Sequence, residues 1–320
     1  MKDILLRFKH FLVEPMEISF TLFKILIPAS IAIKIIKELG LIDTIGIILG
    51  PIMEWVGLPG DMGLVWATAM IVNLYAGAVV FVSLLHINAL SVAQVTVLTT
   101  MMLVAHSLII ELKITQQAGC RIGAMALIRV GCAFLFGYGL NKIFSGFEWL
   151  QQPSILSWTL HMKDETFMGW VWGEMRNLLT IFVILFGLLL LIKALNRIGM
   201  TEFLARLLRP LLLILGIGKA ATTITIVGMT LGIAFGGGLI IREAQRGHID
   251  KKDIFFSLAL MGLSHALIED TLLMMALGGH LYGLLWGRLL FTAVFIFLLV
   301  KLVSPISPAA FDRYLFKSLK

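Results

Sequence analysis

Charge is the first thing this 320-residue chain lacks: Asp, Glu, Lys and Arg make up 14% of it, against roughly 25% in soluble domains. With 59% hydrophobic residues and a mean hydropathy of +0.98, a water-soluble domain is excluded. Cysteine is nearly absent. Cys120 and Cys132 lie in or beside apolar runs without metal-ligand spacing, and read as small packing residues. No basic tract with interleaved aromatics is present, which excludes nucleic acid as a partner. The excess of 26 Lys+Arg over 19 Asp+Glu belongs instead in cytoplasmic loops. No catalytic constellation is found either. His86, His161, His248 and His280 have no Ser or Cys in a nucleophile's context, and Gly232–Gly238 lacks the Lys-Ser/Thr of a phosphate loop. The expectation is therefore a protein that is not an enzyme and uses no cofactor.

What is present is a series of apolar runs, with about twenty residues needed to span a bilayer. Residues 1–16 read as an amphipathic surface helix rather than a signal peptide. Residues 17–144 then carry runs at Ile18–Ile36, Leu41–Val56, Gly63–Leu85, Val92–Leu112 and Ile122–Phe144. Residues 145–175 break the pattern. Trp149, Trp158, Trp170 and Trp172 gather there with Pro153, and such aromatics favour the headgroup region. Residues 176–304 repeat the order with Asn177–Leu195, Phe203–Ile217, Thr222–Ile241, Asp253–Leu277 and Leu281–Val303, and a basic tail occupies 305–320.

The two halves superpose without a gap at an offset of 159. Pro51/Pro210, Gly57/Gly216, Gly77/Gly236, His106/His265, Gly119/Gly278 and Arg129/Arg288 coincide, and Glu111/Asp270 keeps the charge. Matched apolar residues are cheap in a membrane chain; matched His, carboxylate, Arg, Gly and Pro are not. The loop at Arg242–Asp253 holds Arg242, Arg246, Lys251 and Lys252, whereas its counterpart His86–Ser91 has no Lys or Arg. By the positive-inside rule these loops face opposite sides. The expected fold is an all-α polytopic membrane protein. It consists of two inverted repeats of about five helices each, with Gly-broken helices near the midplane and both termini cytoplasmic in a bacterial cytoplasmic (inner) membrane.

Ionisable groups inside apolar runs are expensive and mark functional sites by default. The candidates are His106, Glu111, Arg129, His265, Glu269, Asp270 and Arg288, with Asn73, Tyr75, Gly77, Gly232, Gly236, Gly237 and Gly238 at the breaks. At about 1.5 Å per residue, both His and both Arg fall roughly 15–20 Å from a membrane face, and Glu111 and Asp270 shallower. His265 and Glu269, four apart, share a helix face. Glycine clusters disfavour a continuous helix, and lipid cannot satisfy the freed backbone groups; for Gly77 alone, close packing is the expected role.

Several uses compete. The imidazoles and carboxylates suit proton or ion coupling beside a bound polar solute, and Arg129 and Arg288 suit an anion or the carboxylates. A divalent metal on His106, His265 and Glu269 is the alternative. The bland reading is that the ion pairs only fix packing.

Two halves, each with a Gly-broken span (Val72–Val80, Leu231–Ile241) followed by a His- and carboxylate-bearing span, resemble the nucleoside-recognition, or Gate, membrane proteins. That family is similar to the cores of concentrative nucleoside transporters, to the membrane part of ferrous iron transport protein B and to spore-formation proteins handling dipicolinate. The resemblance implies transport without naming the cargo. The expected function is a secondary transporter for a small polar or anionic solute, nucleoside-like or carboxylate, coupled to protons or ions. An iron-type metal transporter and a non-transporting scaffold subunit are the alternatives. Expected partners are the lipid bilayer, the small-molecule or ion substrate, and a homo-oligomer or second membrane subunit.

Overall fold

A computed structural model describes residues 38–84, 90–154, 167–247 and 249–317, with scattered positions before 38. The expected N-terminal surface helix, most of Ile18–Ile36 and the centre of the Trp-rich linker fall outside these residues. All regular elements among the described residues are helices. In the first half these are α1 (Leu41–Trp55), α2 (Met62–Ile71), α3 (Leu74–Leu84), α4 (Val92–Val104), α5 (Leu108–Gln117) and α6 (Ile122–Gly146). The second half has α7 (Phe167–Arg197), α8 (Met200–Ile214), α9 (Lys219–Leu231), α10 (Ile233–Arg246), α11 (Lys251–Leu263) and α12 (Glu269–Ala276). A π-helical turn (Tyr282–Gly287), α13 (Arg288–Val303) and α14 (Pro308–Tyr314) follow.

The offset of 159 governs the backbone as well as the side chains. Both ends of α1 and of α4 map onto the ends of α8 and α11. Left-handed residues recur in register: Gly40/Gly199, Gly57/Gly216, Gly119/Gly278 and, without glycine, Ser107/Ala266. The helix starts match too. Ser91 caps α4 in a capping box with Gln94, and Asp250 caps α11 by accepting from the Lys252 N–H, each satisfying an otherwise orphaned amide.

The runs Gly63–Leu85 and Thr222–Ile241 are interrupted as expected, but the interruptions are reversals. A side chain on Gly77 would meet Ala69 Cβ at 2.8 Å, and one on Gly228 would meet Gly236 Cα at 3.4 Å. Residues eight apart in one straight helix would lie about 12 Å from each other. So α2–α3 turns back at Asn73, and α9–α10 turns back at Gly232. The expectation of one broken span over each of these runs is corrected accordingly: each is a helical hairpin. Only Gly232, at φ 99°, forms the second turn; Gly236, Gly237 and Gly238 lie inside α10 and are not the break. Gly236 instead lets the arms touch, because small residues permit close backbone approach.

The second correction concerns the His-bearing segments, which carry no Gly or Pro at the relevant point yet are also broken. Ala105–Ser107 separates α4 from α5, and Ser264–Ile268 separates α11 from α12. His265 and Glu269 therefore do not share a helix face.

Among the described residues, four helical runs are long and apolar enough to cross a membrane: Val92–Gln117, Ile122–Gly146, Val171–Arg197 and Tyr282–Val303. The protein is a multi-pass membrane protein. At its centre α4 and α11 are buried almost all round. Helix α6 runs antiparallel to α13. Before α6, the Arg121 N–H donates to Leu315 O (3.0 Å) beyond the end of α13. After it, Trp149 packs on Tyr282 (centroids 5.2 Å) just ahead of α13. One end of the molecule gathers residues 119–121, 250–252 and 304–317, where Lys251 pairs with Asp312 and the Lys252 ammonium donates to Ser304 O. The other gathers Leu90–Ala93 against Leu150–Ser154, and Tyr282.

Candidate functional site

Each broken helix presents two opposite partial charges at the break: carbonyl groups at the end of α4 or α11, and amide groups at the start of α5 or α12. The side chains sort accordingly. Cations and N–H donors sit at the carbonyl ends. The Arg129 Nε donates to Val104 O (3.1 Å) and the Arg288 Nε to Leu263 O (2.9 Å). These two bonds are related by the repeat offset at both donor and acceptor. The same is true of the imidazoles. His106 Nδ1 lies 3.1 Å from Met102 O, and His265 Nδ1 lies 2.7 Å from Met261 O. The acids Glu111, Glu269 and Asp270 occupy the first turns of α5 and α12, where helix amides favour negative charge.

These placements bring two halves into one buried centre. His106 Nε2 and His265 Nε2 are 3.1 Å apart. Glu111 Oε1 is 3.4 Å from both, and Asp270 Oδ2 is 3.9 and 4.0 Å from them. Glu111 Oε2 forms an ion pair with Arg129. Glu111 and Asp270 thus sit level with the histidines rather than shallower, because the chain bends at the break. His106, His265, Glu111, Asp270, Arg129 and Arg288 are all buried.

Arg288 departs from its expected role. Instead of a carboxylate it holds two carbonyls, with Nη2 donating to His265 O (2.9 Å). Asp270, one methylene shorter than Glu111, has its Oδ2 buried without a hydrogen-bond partner. Glu269 also stands outside the inner cluster, and its Oε1 accepts from the Tyr75 hydroxyl at 2.9 Å. The alternative metal set of His106, His265 and Glu269 is therefore corrected: Glu111 and Asp270, not Glu269, are the carboxylates beside both imidazoles.

The remaining candidates build the hairpins around this centre. Asn73 Oδ1 accepts from the Ala76 N–H and caps α3. Gly77 is packed between Ala69 and Met102, and Gly236 between Gly228 and Met261, again a pair of contacts in register. Gly237 abuts Ile114 of α5, whereas Gly238 faces open space. Ser107 N donates to Ala69 O, and Leu267 N to Met229 O, so each hairpin is tied to the break of its own half. Residue reasoning missed Ser264 and Thr271, whose buried hydroxyls lack partners beside His265 and Asp270. Nothing in their sequence context sets them apart.

A hairpin and a broken helix repeated in each half make an arrangement that can be compared with known proteins. Residues 19–116 match the Gate family, described as nucleoside recognition. That stretch runs through the first repeat to the end of α5 and includes the hairpin, His106 and Glu111. Over 276 residues the chain is 26% identical to YvoD, an uncharacterised membrane protein of Bacillus subtilis (strain 168); the alignment covers 85% of this chain and 87% of the relative. No solved structure matches.

Proposed function

We propose that this Gate-domain protein is a secondary transporter whose two repeats alternate access to a cation-coupled centre. The observation that carries the reading is the convergence of lone pairs. Backbone carbonyls only accept, so each imidazole keeps its proton on Nδ1, and each Nε2 presents a lone pair when the ring is neutral. Two such nitrogens and two carboxylate oxygens face one another. Glu111 is already paired with Arg129, whereas the buried Asp270 Oδ2 has no hydrogen-bond partner. A cation is what the centre attracts. Its ligands come equally from both halves, so moving one half against the other makes and breaks the site, as in transporters built from inverted repeats.

The inverted arrangement is supported by the ends of the molecule. Residues 119–121 and 250–252 share one end, and the counterparts of each, 278–280 and 91–93, belong to the other. With the hairpins re-entrant, three crossings per half and cytoplasmic termini in a bacterial inner membrane agree with the basic loop at Arg242–Lys252. The linker at 145–175 then lies along the outer face between repeats spanning 17–144 and 176–304. The cargo is a small polar solute, and the Gate description favours a nucleoside.

Reconstitution in liposomes tests this. Uptake of a labelled nucleoside is expected under an imposed cation or proton gradient, with a tenfold or greater loss in His265→Ala and Glu111→Gln. Uptake indifferent to both substitutions overturns the site, and no uptake of any polar solute by the purified chain favours a scaffold subunit.

A further inference from the structure

The cation reading leaves the cation unnamed, and the geometry narrows it. We propose that His106, His265, Glu111 and Asp270 form a binding site for a divalent first-row transition ion of the Zn²⁺ class; this rests on reading the centre as a cation site. A tetrahedral site with bonds of about 2.0–2.1 Å places its ligand atoms about 3.3–3.4 Å apart. The two Nε2 atoms and Glu111 Oε1 form a triangle with edges of 3.1, 3.4 and 3.4 Å. That triangle fits one face of such a tetrahedron. Asp270 Oδ2 stands 3.9 and 4.0 Å from the same two nitrogens and makes a second three-ligand set with them. It is also the buried carboxylate oxygen that has no hydrogen-bond partner, and its side chain is 12% exposed.

A proton answers less of this. Shared between the imidazoles, it satisfies their mutual contact and leaves both carboxylate oxygens without a donor. One metal ion engages both imidazole nitrogens and a carboxylate oxygen at once. Nitrogen donors further select transition ions over Na⁺, Mg²⁺ or Ca²⁺, which favour oxygen. The outer contacts have the form expected around metal ligands. Nδ1–H of each imidazole is held by a backbone carbonyl, and Glu111 keeps its second oxygen on Arg129. No cysteine enters the cluster; Cys120 and Cys132 are free and buried.

The full chain, purified in detergent, is stripped with a chelator, loaded separately with Zn²⁺, Co²⁺ and Mg²⁺, desalted and assayed for metal. One Zn²⁺ or Co²⁺ per chain is expected and no Mg²⁺, with the intense visible bands of tetrahedral Co²⁺. Retention is expected to fall at least tenfold in His106→Ala and His265→Ala and to persist in His280→Ala. Should the His variants not fold, Asp270→Asn carries the test through retention and through loss of the Zn²⁺-dependent rise in Tm. Failure of the wild-type chain to retain Zn²⁺ or Co²⁺, or retention unchanged in the His and Asp variants, overturns the proposal. If metal is not retained while nucleoside uptake persists and depends on His265, the coupling cation is a proton and the transporter reading stands. If metal is retained while neither solute nor ion crosses the liposome membrane, the site stands and the transporter reading falls.

Discussion

At the level of single side chains, one methylene separates the two halves of the centre. Glu111 reaches Arg129, while Asp270, at the matching position, leaves Arg288 bound to Leu263 O and His265 O. The two arginines therefore respond differently to the same lesion. Arg129→Met strands a buried carboxylate and is expected to cost about 3–5 kcal/mol. Adding Glu111→Gln should return about 0.5–3 kcal/mol of that as a coupling energy. Arg288→Met strands carbonyls instead, and Glu111→Gln should return nothing. Unfolding in detergent for the single and double variants measures both cycles; equal recovery would contradict the assignment. The residue identities of this centre were legible in the sequence because ionisable groups stand out in apolar runs. Their partners were not. Arg288 and a carboxylate look like an ion pair on paper, and only the bend at Ser264–Ile268 turns the guanidinium onto the backbone.

At the level of elements, the hairpins and breaks decide what the glycines do. Gly236 lies against Gly228, so Gly236→Ala pushes a methyl group into backbone and is expected to destabilise by about 1–3 kcal/mol. Gly238 faces open space on the same helix, and Gly238→Ala should be neutral or stabilise by up to about 1 kcal/mol. Thermal unfolding of the two variants checks the contrast, and similar losses in both would mean that the arms of α9–α10 do not touch. The sequence marked these stretches as interrupted but could not separate a kinked span from a reversal. That distinction depends on whether Ala69 meets Gly77 and Gly228 meets Gly236, contacts that a linear pattern does not encode. The break at Ala105–Ser107 had no local signal at all, since Ser107 and Ala266 adopt the left-handed conformation without being glycine.

At the level of the whole molecule, the offset of 159 was the most informative property of the chain. It located the centre, because Pro51–Lys142 aligns with Pro210–Lys301 without a gap. The crossing count is not legible in the same way, because hydropathy does not tell a hairpin from a span. Labelling with a membrane-impermeant thiol reagent in intact cells tests whether the number of crossings per half is odd. A cysteine at Gln151 should react from outside, and one at Arg313 only after permeabilisation. Reaction of both from the same side would exclude the three-crossing repeat.

The bond from Tyr75 to Glu269 joins the first hairpin to the second repeat, and duplication has not preserved it: the counterparts are Ala234 and Ile110. A machine with two equal halves would rest with its inward and outward openings in balance, whereas this one carries a latch on a single side. A hydrogen bond to a carboxylate is worth about 1.5–3 kcal/mol, a bias of roughly ten- to a hundredfold in resting population. Tyr75→Phe should release that bias, and the ratio of thiol labelling from the two faces at a site near Gly232 would register it. The idle protein would then be a door held shut from one side, opened by whatever draws Glu269 away.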